Sequence, residues 1–144
     1  MKIVLGADHG GWQMKEDVKE WLGEKGYEVK DFGTDSTDAV NYPDFGHPLA
    51  EAVESGRFDS GISLCGSGNG INMVTNKHQG IRGALCWNKE ISTMARLHND
   101  ANICSLPARY LDLETAREIV DAFLDTDYEG GRHDIRTSHI PIQR

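Results

Sequence analysis

Five short apolar runs, at residues 3–6, 27–32, 60–65, 80–86 and 101–106, recur along the chain with amphipathic stretches between them. Strands separated by helical patterns are joined by crossovers, and crossovers make the strands parallel and lay helices on the faces of the sheet. A chain of 144 residues is long enough to bury one sizeable core and short for two. The expected fold is α/β: a three-layer α/β/α sandwich around a five-stranded parallel Rossmann-like sheet. It forms one domain over 1–144, with an Arg-bearing tail at 128–144.

The helical stretches have their own punctuation. Residues 12–25 carry Met14, Val18, Trp21 and Leu22 at helical spacing and stop at Gly26. Residues 48–54 repeat the theme with Leu49, Ala52 and Val53. Further helices are predicted over 89–97 and 113–124. Asp112 is the N-cap of the latter, and Ala116, Ile119, Val120 and Phe123 lie along one face. Beyond Leu124 the chain turns polar through Gly130 and Gly131 into the tail.

Composition narrows the partners. With 38% hydrophobic and 26% charged residues the chain reads as an ordinary soluble globule, neither disordered nor a membrane protein. A net charge of -8 repels a polyanion, so nucleic acid is not an expected partner, and any anionic ligand must be small and held by local arginines. The apolar run after Met1 is too short for a signal peptide or a membrane span. Cys65, Cys86 and Cys104 are odd in number and widely spaced, which suggests neither a disulfide framework nor a paired zinc motif. Reduced thiols in the cytoplasm fit that pattern.

Ligands of an open parallel sheet bind beyond the carboxyl ends of its strands. The first strand ends in Ala7, Asp8, His9, Gly10, Gly11 and the third in Cys65, Gly66, Ser67, Gly68, Asn69, Gly70. These ends meet if the two strands are neighbours. A glycine-rich turn leading into a helix exposes backbone N–H groups that can cradle an oxyanion or phosphate, although the same glycines would also serve a merely tight turn. Three glycine-loop readings fail: Gly70 is followed by Ile71 and Asn72 rather than the Lys-Ser/Thr of a P-loop, the glycines are one residue short of a dinucleotide fingerprint, and Ile71 stands where a cysteine phosphatase needs arginine.

Cys65, at a strand end beside these donors, can be held as a thiolate and act as a base, yet a lone strand cysteine also fits the core. Cys86 and Cys104 keep the core reading. Asp8 and His9 suit sugar hydroxyls, a phosphate or proton transfer, and Asp8 equally suits helix capping. His98, with Asn99 and Asp100, is either an acid/base or a helix-terminal histidine that favours the dipole. A βαβ crossover carries it to the edge of the sheet opposite Cys65, so a partner subunit would have to bring the two together. Arg132 and Arg136, four apart, can grip a phosphate between two guanidinium groups, with Arg109 as a third cation. His47, His78, His133 and His139 show no ligand spacing, so no metal is expected.

Together, Gly-Ala-Asp8-His9-Gly-Gly, Asn41-Tyr42-Pro43-Asp44, Cys65-Gly-Ser-Gly-Asn-Gly70, Asn76-Lys77, His98-Asn99-Asp100 and Gly130-Gly131-Arg132-His133 resemble the ribose-5-phosphate isomerase B family over nearly the whole chain. The resemblance implies an enzyme of the pentose phosphate pathway that interconverts ribose 5-phosphate and ribulose 5-phosphate without a cofactor. In it Cys65 would be the base that moves a proton between C1 and C2 through an enediolate, and His98 would open the sugar ring. Gly66, Ser67, Gly68, Asn69 and Gly70 would stabilise the oxyanion. Asp8, His9, Tyr42 and Asn99 would bind the sugar, and Arg109, Arg132 and Arg136 the phosphate. It also implies a homodimer with shared active sites, which can pair into a higher oligomer. One branch of the family uses a glutamate just after the glycine loop, but Ile71 occupies that position, so this chain is of the cysteine type. Leu106-Pro107-Ala108 before Arg109 departs from the family's usual glycine. Isomerases of allose 6-phosphate or galactose 6-phosphate are the alternative in the same family, and a non-catalytic sugar-phosphate-binding module is the alternative outside it.

Overall fold

The computed structural model describes residues 1–143, so Arg144 of the expected tail lies outside the described residues. In chain order the elements are β1 (Lys2–Ala7), α1 (Trp12–Glu24), β2 (Glu28–Asp31), α2 (Pro43–Glu54), β3 (Ser60–Cys65), α3 (Asn69–Thr75), β4 (Gly83–Leu85), α4 (Lys89–Asn99), β5 (Ile103–Pro107), α5 (Leu113–Asp125) and α6 (Asp134–Thr137). Short 3-10 turns occupy Ala108–Tyr110 and Gly131–His133. The sheet is five-stranded and parallel, in the order β2-β1-β3-β5-β4. No described helix is long and apolar enough to cross a membrane.

The two faces of the sheet follow from side-chain alternation. Ile3, Leu5 and Ala7 of β1 enter a core with Val18 and Leu22 of α1, Ala95 of α4, and Ile119, Val120 and Phe123 of α5. Val4 points the other way, to Leu49, Ala50, Ala52 and Val53 of α2. With α3 packed beside α2, three layers result, as expected.

Local signals place most boundaries. Gly26, at φ 85°, closes α1: its N–H donates to Gly23 O at 3.0 Å and that of Tyr27 to Leu22 O at 3.2 Å. The side chains of Asn88 and Asp112 cap α4 and α5, accepting from Ile91 N at 2.8 Å and Thr115 N at 2.7 Å. Two expectations change. The helix expected over 48–54 starts at Pro43, which suits the first helical position because its missing N–H would have no partner there. Pro48 lies inside the helix instead of opening it. The strand expected over 80–86 shrinks to Gly83–Leu85, because Gly80 N–H donates to Glu54 Oε2 at 2.6 Å and Arg82 N–H to Asn102 Oδ1 at 2.8 Å instead of to a neighbouring strand.

Candidate active site

β1 and β3 are neighbours, with Ala7 opposite Leu64, so the loops beyond them meet. They touch closely: a Cβ on Gly11 would lie 2.7 Å from the Leu64 side chain and 2.8 Å from its backbone, and one on Gly10 3.1 Å from Gly66 N. At Gly11 a side chain fits only if the Leu64 backbone moves, whereas at Gly10 the approach is tight. The Asp8 carboxylate accepts from the N–H groups of Gly10 at 2.9 Å and Gly11 at 3.2 Å. Asp8 therefore pins the turn into α1, and it also borders the cleft beyond it.

The Gly66–Gly70 loop is shaped by its neighbours. Gly68 adopts φ 74°, open to glycine at little cost, and a Cβ there would meet Leu85 at 2.6 Å. The Arg109 guanidinium lies across Gly66, and Arg109 N–H donates to Gly66 O at 3.0 Å. Tyr42 covers Gly70 from the other side. Asn69 N–H donates to Ser67 Oγ at 3.3 Å. Among the described residues the N–H groups of Gly66 and Ser67, both on the cleft, find no acceptor, which leaves them for a ligand oxygen. Beneath the loop, Ser63 and Ser105 hydroxyls pair at 2.6 Å, and Ser105 donates to Asn72 Oδ1 at 3.0 Å, tying α3 to the sheet.

A cleft of about 330 Å³ opens here, bordered by Asp8, Tyr42, Cys65, Gly66, Ser67, Gly70, Arg109 and Tyr110. Cys65 is only 5% exposed. The 3-10 turn after β5 settles the placement of Arg109, which belongs to this half of the molecule. Gly68 and Asn69 belong to the loop without bordering the cleft, and His9 stands back from it as well. His9 Nδ1 accepts the Val40 N–H at 3.1 Å, so its Nε2 carries the proton. Tyr110, 76% exposed on the cleft rim, was not anticipated: nothing in a short exposed turn marks it in sequence. Cys86 and Cys104 are fully buried away from the cleft, and burial pushes the Cys104 thiol up.

The remaining expected residues lie elsewhere. α4 and α5 run back against the strands, so their carboxyl ends reach the amino edge of the sheet. There Gly61 N–H donates to Asn102 O and Asn102 N–H to Arg82 O, both at 3.0 Å, at the entries to β3 and β5. His98 and Asn99 end α4 at this edge. The tail joins them through Glu129 N–H, which donates to Leu97 O at 3.0 Å. Arg132 and Arg136 follow on consecutive 3-10 and α-helical turns, both exposed, with Arg132 Nη1 3.6 Å from Glu129 Oε1. The chain thus carries two groups of candidate residues on opposite edges of one sheet, and does not bring them together itself.

At the amino edge the His98 and His133 rings stack, their centroids 4.4 Å apart. Both Nε2 atoms face Glu129 Oε2, at 3.8 and 3.9 Å. Burial first, then the Arg132 charge and His98, hold the His133 imidazole below its usual range. Sequence spacing could not find this trio, because only the folding of the tail onto α4 assembles it.

The sequence model of the Ribose/Galactose Isomerase family matches residues 3–140. The ribose-5-phosphate isomerase B of Escherichia coli is 42% identical over 139 residues, covering 96% of this chain and 93% of that protein. The structure of Clostridium thermocellum ribose-5-phosphate isomerase B superposes with a TM-score of 0.96 at 48% identity, over 97% of this chain and 95% of that one. That of the Mycoplasma genitalium enzyme, solved with bound ribulose-5-phosphate, gives 0.93 at 36% identity, over 96% and 93%. Matches this extensive, in sequence and in fold, place the chain in the ribose/galactose isomerase family.

Proposed function

We propose that this protein is an aldose-ketose isomerase that interconverts ribose 5-phosphate and ribulose 5-phosphate. The observation that carries the reading is the Cys65 thiol opening into the same cleft as the partnerless N–H groups of its own glycine loop. In the proposed reaction His98 opens the furanose ring by moving a proton between the ring oxygen and the O1 hydroxyl. The Cys65 thiolate takes the C2 proton, the electrons it leaves form an enediolate in which the O2 hydroxyl proton passes to O1, and Cys65 returns its proton to C1 to give the ketose. The loop donors face the oxygen on which negative charge develops. The transfer stays within one molecule and causes no net oxidation, so its balance calls for no cofactor.

Asp8, His9, Tyr42 and Asn99 are proposed to hold the sugar, and Arg109, Arg132 and Arg136 the phosphate. Cys65 and His98 lie on opposite edges, so a complete site takes one edge from each of two copies in a homodimer. Exposed Ile135, Ile140 and Ile142 in the tail, 67%, 48% and 62% accessible, are the apolar surface such a contact would cover. The single domain of 144 residues would work in the cytoplasm, where its three free thiols stay reduced.

A panel of five- and six-carbon aldose phosphates tests the reading, with Cys65→Ala as the blank. Turnover of ribose 5-phosphate by the wild type, lost in a Cys65→Ala protein with an unchanged circular dichroism spectrum, is the expected result. Preference for allose 6-phosphate or galactose 6-phosphate would shift the assignment to the six-carbon branch of the family. Full activity in Cys65→Ala would remove the proposed base.

A further inference from the structure

We propose that His98, Glu129 and His133 form a binding site for a divalent transition-metal ion of the zinc class. One ligand atom from each lies within 4.8 Å of the other two. Glu129 Oε2 is the shared centre, 3.8 Å from His98 Nε2 and 3.9 Å from His133 Nε2. Two imidazoles and one carboxylate are the donor set that zinc takes when a fourth position stays open to water. A lone carboxylate beside nitrogen donors does not suit magnesium or calcium, which take oxygen ligands.

The second observation is His133 Nε2 itself. The side chain is 6% exposed, and among the described residues this nitrogen is buried without a hydrogen-bond partner. Buried polar atoms in folded proteins rarely stand unpaired, and an orphan that faces two other donors calls for a ligand. Arg132 approaches the other carboxylate oxygen, Oε1, at 3.6 Å, leaving Oε2 to the imidazoles. Tetrahedral zinc with bonds of about 2.0–2.1 Å sets its ligand atoms about 3.4 Å apart. The two carboxylate–imidazole gaps must therefore each close by about half an ångström, and the near-parallel rings, 20° apart, must turn so that the two nitrogens, which lie within 4.8 Å of each other, converge on the ion. His133 is fixed by burial, whereas the side chains of His98 and Glu129, 38% and 45% exposed, have room to turn.

Bound there, the ion takes the Nε2 lone pair of His98 and inhibits the isomerase; this consequence, unlike the binding, rests on the role proposed for His98. The test is titration of the assembled wild-type protein with Co²⁺, followed by displacement with Zn²⁺. Visible bands of tetrahedral cobalt that disappear on adding zinc are expected, without a thiolate charge-transfer band. Losing a ligand should weaken binding at least as much as losing a supporting contact, by about 10–100-fold, in both Glu129→Gln and His133→Gln. Glu129 is half-exposed, so its variant tests the site even if the buried histidine variant fails to fold. Substitution His47→Ala, at a separate surface histidine, should leave affinity unchanged. Absence of the bands, or bands that survive Glu129→Gln or vanish in Cys65→Ala, would overturn the site. Binding without inhibition would keep it and contradict the role of His98.

Discussion

Gly70 has Tyr42 where a side chain would go: a Cβ there would lie 2.5 Å from the ring. The ring is the far end of an exposed side chain and can yield, so Gly70→Ala should fold normally but reshape the cleft. A displacement of this order at a positioned site costs about ten- to a hundredfold in kcat/KM, measurable by steady-state kinetics. At Gly11 the obstacle includes the Leu64 backbone, which cannot yield. There Gly11→Ala should instead lower stability by about 1–3 kcal/mol in urea titrations. Arg136→Ala should raise KM about ten- to a hundredfold with little change in the melting temperature, because charge-assisted contacts to a phosphate are worth about 1.5–3 kcal/mol. An unchanged KM would remove Arg136 from the phosphate site. Cys65 and the glycines were legible as residues because strand ends and turns are local signals. Tyr110 and the His133 contact were not, because each is defined by what folds against it.

Each element that carries a candidate residue is held by a few specific contacts. The Asn88 cap starts α4, whose last turn carries His98, so Asn88→Ala should cost about 1 kcal/mol of stability in thermal melts. Lys15, fully buried on α1, reaches Asp31 at the end of β2 at 2.5 Å, and Gly33 N–H donates to the same carboxylate at 2.8 Å. Burial alone would raise the Asp31 pKa; the hydrogen bonds from Lys15 and Gly33 outweigh it, and the net value falls below the ordinary 3.8. A lowered carboxylate contributes stability that is fully present above the unfolded value and fades as pH drops through the folded one. Asp31→Asn should therefore lower the melting temperature at neutral pH and flatten the acid limb of a pH series below about pH 4. A parallel shift at every pH would contradict this. The caps at Gly26 and Asp112 were read from sequence because they act within one turn. The start of α2 was missed because Pro43 and Pro48 both fit a first-turn proline, and only packing decides between them.

At the scale of the whole molecule, a parallel sheet sorts its loops onto two edges, and this chain divides its chemistry between them. Alternating runs make the parallel sheet legible, and the crossover rule places His98 away from Cys65. What one chain's sequence leaves open is how two copies meet. The central claim is that an active site takes Cys65 from one copy and His98 from the other. Mixing Cys65→Ala with His98→Ala protein, each inactive alone, tests it directly. Random exchange makes half the dimers mixed, each with one intact site, and about a quarter of wild-type activity should return. If the mixture stays inactive after subunit exchange has been demonstrated by mass spectrometry, the shared site is contradicted.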